Sequence, residues 1–87
     1  LAPNLAKEDI RMKRFRITPQ SPLVGLRIHD SGLRDQAHAM VAGIERDGAR
    51  IMNPEGRMQL QANDVVWLVG NGETIRSFME QRAAIRE

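Results

Sequence analysis

Polar and apolar residues alternate over Arg14, Phe15, Arg16, Ile17 and Thr18, which predicts a short strand with Phe15 and Ile17 on its inner face. Pro19 and Pro22 end it, because proline offers no amide to a ladder. Leu23, Leu26 and Leu33 then stand apart among polar residues, with Gly25 and Gly32 interrupting any long helix, so one short helix and a turn are expected. From Ala39 to Ile44 the chain is continuously apolar, as a buried strand is, and it emerges into water at Glu45 and Arg46. Asp47-Gly48 tolerates the positive φ of a tight hairpin turn, and Arg50, Ile51 and Met52 form the return strand.

Asn53-Pro54-Glu55-Gly56 breaks the pattern, and Leu60 leads into a second buried strand, "DVVWLVG", at 64–70. Asn71 is a good helix cap, and the helix after it places Ile75, Phe78, Met79 and Ala83 on one face. The expected fold is α+β: a small mixed sheet with a central β-hairpin, one short helix after the first strand, and a C-terminal helix packed on the sheet. Residues 1–13 show no sustained apolar period and are assigned to a linker or the end of a preceding segment, with one domain over 14–84.

Composition narrows the classes. In 87 residues, 41% apolar and 28% charged is ordinary for a globular domain, and so few aromatics leave the core to aliphatic side chains. Met40, Met52, Met58 and Met79 are expected as core filler. With no cysteine there is no disulfide framework, thiolate nucleophile or cysteine-ligated metal. The longest apolar run, Val65 to Val69, is far below the roughly 20 residues of a membrane helix. The amino-terminal segment lacks a signal peptide's apolar core, and a start at Leu1 suggests a fragment of something larger. The net charge of +2 is concentrated early, where Lys7, Arg11, Lys13, Arg14 and Arg16 outnumber Glu8 and Asp9.

Catalytic equipment is hard to find. Gly70-Asn71-Gly72 joins a strand to a helix, but Ile75 stands where a dinucleotide fingerprint needs its third glycine, which leaves a simple turn. His29, Asp30, Asp35 and His38 offer metal-ligand chemistry without helical His-x₃-His spacing, so they are assigned to exposed positions around a turn. Neither Ser21 nor Ser31 has a nucleophile elbow. The cations around Phe15 suit a salt-dependent nucleic-acid contact, and strand alternation explains Phe15 equally well.

Five segments in order carry a resemblance: "SPLVG" at 21–25, "SGLRD" at 31–35, "VAGIERDG" at 41–48, "NP" at 53–54 and "NDVVWLVG" at 63–70. Together they resemble the RCK C-terminal domain, also called TrkA-C, over residues 14–80. The "GIERDG" and "VWLVG" wording looks most like the cytosolic tail of bacterial cation/proton antiporters. The resemblance implies a non-enzymatic, homodimeric regulatory domain of a potassium or other monovalent-cation transporter, cytoplasmic and attached to that protein's membrane portion. Some members bind cyclic di-AMP between two subunits, so this nucleotide or another small regulatory ligand is the implied cofactor. Carried over position by position, the site consists of Leu33, Arg34, Met40, Val41, Asn53 and Pro54. Arg34 would meet phosphate or stack on a base, while the apolar residues pack the adenine. The chain departs from the family pattern of an aromatic and a glycine before the strand, carrying Ala37 and His38. Two alternatives stand beside this: a purely structural dimerisation module without ligand, in which Leu33, Met40 and Val41 form the seam, and a small nucleic-acid-binding domain.

Overall fold

The computed structural model describes residues 10–87. Five strands, β1 (Ile10–Ile17), β2 (Met40–Arg46), β3 (Ala49–Met52), β4 (Val65–Asn71) and β5 (Ala84–Arg86), form one sheet in the order β3-β2-β4-β1-β5. A single 3-10 turn, Ile28–Asp30, lies between β1 and β2, and helix α1 (Gly72–Glu80) joins β4 to β5. The α+β class and the central β2–β3 hairpin are as expected.

Three details differ. Every pairing is antiparallel, so the sheet is not mixed. β4 and β5 do run the same way, but β1 lies between them and pairs antiparallel with both. The short helix after β1 shrinks to the one 3-10 turn, because Gly25 and Gly32, at φ +87° and +86°, reverse the chain on either side of it. α1 stops at Glu80, so Ala83 is no part of its buried face; it takes φ +56° in the turn that aims Ala84 at the core.

β1 also begins four residues before the expected strand. Its apolar positions change phase: Ile10 and Met12 lie on one face of the sheet, Phe15 and Ile17 on the other. Such an inversion hides strand periodicity from a pattern that assumes a single apolar face. The expected linker up to residue 9 lies outside the described residues, whereas residues 10–13 pair in register with β4.

The core fills one side of the sheet. Phe15, Ile17, Ile44, Val66 and Leu68 project from the strands, Ile75, Phe78 and Met79 come down from α1, and Leu23, Leu33 and Leu60 close the gap from the connecting segments. Asn71 caps α1, its Oδ1 accepting from the Thr74 amide at 3.0 Å. On the opposite side no described element covers the strands. Met12, Met40 and Met52 stand 57, 59 and 73% exposed there, which corrects the expectation that Met40 and Met52 fill the core; Met79 does fill it.

Candidate functional site

Two local zips build a depression at one end of the sheet. In the first, the amides of Ile28 and His29 donate to the carbonyls of Met58 and Gly56, both at 2.9 Å, and the Leu60 amide donates to Leu26 O at 2.8 Å. This laces the 3-10 turn and the residues just before it onto the segment after β3. Gly56 passes close to His29, where a Cβ would make a tight contact 3.3 Å from the imidazole Nδ1. In the second zip, the Gln36 and Ala37 amides donate to Gly32 O and the Ala39 amide to Leu33 O, which curls residues 32–39 into a tight loop. The loop is completed by His38 at φ +53°, a left-handed conformation that, apart from glycine, is taken most often by asparagine, aspartate and histidine.

The depression between these zips measures ≈ 560 Å³, and Arg34, Met40, Val41, Asn53 and Pro54 all line it. Five of the six expected site residues, spread over 21 positions of sequence, therefore meet around one space. Leu33 does not join them. It is fully buried, packed in the core beneath the loop, and is corrected from a ligand contact to a support.

Ile28, His29, His38 and Gly56 line the same depression and were not among the expected site residues. The zip that delivers Ile28, His29 and Gly56 consists of backbone hydrogen bonds between distant segments, which leave no periodicity in the side chains. Among the described residues, no three or more histidine, aspartate or glutamate side chains group as metal ligands, so His29, Asp30, Asp35 and His38 do not assemble a metal site.

The side chains around this space suit an anion with an apolar body. Arg34 supplies a permanent cation and His29 and His38 two imidazoles, no carboxylate lines the wall, and Met40, Val41 and Pro54 supply apolar surface.

The uncovered face of the sheet is a second surface. Arg14 stacks over Trp67, 4.9 Å from the ring centroid, while Trp67 Nε1 donates to Glu45 Oε2 at 2.6 Å. Around this centre lie Ile10, Met12, Met52 and Ile85, all exposed. Among the described residues, no helix is long and apolar enough to cross a membrane.

Comparison with known proteins fits this architecture. A probable sodium/sulfate cotransporter of Chlamydomonas reinhardtii is 33% identical over 66 residues, 76% of this chain. The chain spans only 7% of that transporter's length. Among solved structures, the RCK C domain of the potassium transport protein KtrA, in complex with cyclic di-AMP, superposes with a TM-score of 0.74 at 22% identity, covering 90% of this chain and 88% of that one. The RCK_C domain dimer of S. agalactiae BusR, also bound to cyclic di-AMP, gives 0.73 at 20% identity over 84 and 89% of the two chains. These likenesses concern the fold. Residues 12–82 match the family model of the TrkA-C domain, and the chain belongs to that family.

Proposed function

We propose that this chain is the ligand-sensing, dimerising regulatory domain of a monovalent-cation transport protein, and that Arg34, Met40, Val41, Asn53 and Pro54 hold a cyclic dinucleotide. TrkA-C domains are regulatory modules and not enzymes. The observation that carries the reading is the meeting of those five residues in one depression. Arg34 takes a phosphate, and the apolar wall packs against a base. KtrA and BusR, both solved with cyclic di-AMP, support that ligand class.

The uncovered sheet face supports the homodimer. A patch bearing Ile10, Met12, Met52 and Ile85 is the kind of surface that a second copy covers, and two-fold pairing buries the same patch on both partners. Met40 belongs both to that face and to the depression, so a ligand there touches the seam. Ligand binding that favours one dimer arrangement then biases the attached membrane portion, with a coupling of about 1–3 kcal/mol typical of such linkage. The parent is a cytoplasm-facing cation transporter; the sodium-coupled relative supports cation-linked transport, and the "GIERDG" and "VWLVG" segments favour a cation/proton antiporter.

Thermal unfolding of the purified chain with and without cyclic di-AMP tests the ligand. At one hundred times the dissociation constant, binding to the folded state alone adds about 2.7 kcal/mol. An unchanged transition leaves a structural dimerisation module without ligand.

A further inference from the structure

The depression holds two side chains whose chemistry the ligand reading does not yet use. His29 and His38 arrive from different loops, one in the 3-10 turn and one at the end of the 32–39 loop, and line the same space as Arg34. His38 takes a left-handed backbone conformation two residues before β2 begins. Histidine is the side chain whose charge ordinarily changes between about pH 5 and 8.

We infer that His29 and His38 make this site proton-responsive, so that a phosphodiester ligand binds more tightly as the pH falls and the two imidazoles become cations. The inference rests on the cyclic dinucleotide reading given above. A phosphodiester stays anionic throughout this range, so the pH dependence of binding reports the protein side.

The surrounding charges are compatible with that role. Beside His29, Asp30 Oδ1 lies 3.6 Å from Nε2, while the other carboxylate oxygen accepts from Arg27 Nε at 2.9 Å. Across from His29, the segment after β3 carries Glu55 and Arg57, which pair with each other at 3.0 Å. Asp35 shares the loop of Arg34 and His38, the uncharged Ala39 and Met40 follow His38 in the chain, and Gly70 of β4 passes beneath its carbonyl. With neutral imidazoles, Arg34 is the one cation lining the depression. When both are protonated there are three, and each can donate a charge-assisted hydrogen bond to a phosphate oxygen. Affinity is therefore highest below the histidine titration and declines as the pH rises through it.

Calorimetric titration of the chain with cyclic di-AMP near pH 6 and near pH 8 tests this. The expected result is binding about tenfold tighter at the lower pH, an effect of the size that one or two additional charge-assisted hydrogen bonds produce. A double variant, His29→Gln with His38→Asn, keeps hydrogen-bonding side chains, and asparagine tolerates the left-handed backbone. It is expected to hold the weaker affinity at both pH values. Equal affinity of the unmodified chain at the two pH values overturns the inference and leaves the ligand reading intact. So does a double variant that retains the full pH dependence. Absence of binding at either pH overturns the ligand reading, and the proton response with it.

Discussion

Arg46 and Asp64 face each other through two parallel hydrogen bonds, Nε to Oδ1 and Nη2 to Oδ2, each 2.8 Å long. Asp64 is buried to 1% exposure, and its Oδ2 also accepts from the Gln61 amide at 2.8 Å, while Arg46 Nη2 donates to Gln59 O. The pair thus ties the outer end of β2 to the turn that launches β4.

Removing one partner leaves the other without its charge complement, which costs about 3–5 kcal/mol for a buried pair. Arg46 retains some access to water, so Asp64→Ala is expected near the lower end, about 3 kcal/mol, by urea denaturation. The hydrogen bonds from Arg46 to Asp64 raise the guanidinium's pKa against the opposing effect of burial, and attraction to Asp64 and Asp47 adds to the rise. A raised cationic pKa stabilises the fold at every pH below the unfolded value and is lost only above the folded one. The arginine contribution is therefore constant through neutral and mildly alkaline pH. Chemical denaturation at about pH 7 and about pH 9 should show no loss assignable to Arg46.

Gly70 allows β4 to pass directly beneath the loop that carries His38. A Cβ there would lie 3.0 Å from the His38 carbonyl oxygen and 3.2 Å from Ile75 Cδ1. Gly70→Ala is expected to destabilise by about 1–3 kcal/mol, the cost of overpacking, and to shift the depression's wall. A lowered melting temperature together with changed amide shifts around His38 would bear this out; a melting temperature equal to that of the parent chain would not.

The uncovered face can be changed without touching the core. Met12→Asp with Met52→Asp places charges on two exposed side chains of neighbouring rows, so stability should move by no more than about 0.5 kcal/mol per site. Sedimentation velocity is expected to show a dimer for the unsubstituted chain and a folded monomer for the double variant. A dimer unchanged by both substitutions would locate the seam elsewhere.

Arg34 is exposed and makes none of the ion pairs found among the described residues, so Arg34→Ala should leave the fold intact. Loss of a charge-assisted contact to phosphate is worth about 1.5–3 kcal/mol, or a cyclic di-AMP affinity lower by roughly tenfold to a hundredfold. A titration of this variant with the dinucleotide reads the change directly.

Local chemistry made much of this legible. Asp47-Gly48 announced the hairpin, Asn71 the start of α1, and Ile75, Phe78 and Met79 its buried face. The ordered segments from "SPLVG" to "NDVVWLVG" indicated the family, and through it five of the residues that meet in the depression. β5 escaped notice because three residues carry no period of their own; it exists through its register with Phe15, Arg16 and Ile17. The first half of β1 escaped because its apolar side chains point away from the core.

Residue type and order were thus enough for whatever depends on neighbours along the chain: turns, caps, the helical face and the class of the fold. Long-range folding settled which sheet face is covered, the burial of Leu33, the Arg46–Asp64 tie and the arrival of His29 and His38 beside Arg34. Turn and cap preferences act over three or four residues and are written in residue type. The backbone hydrogen bonds of Ile28 and His29 to Met58 and Gly56 use groups that nearly every residue possesses, so only the folded chain reveals where they form.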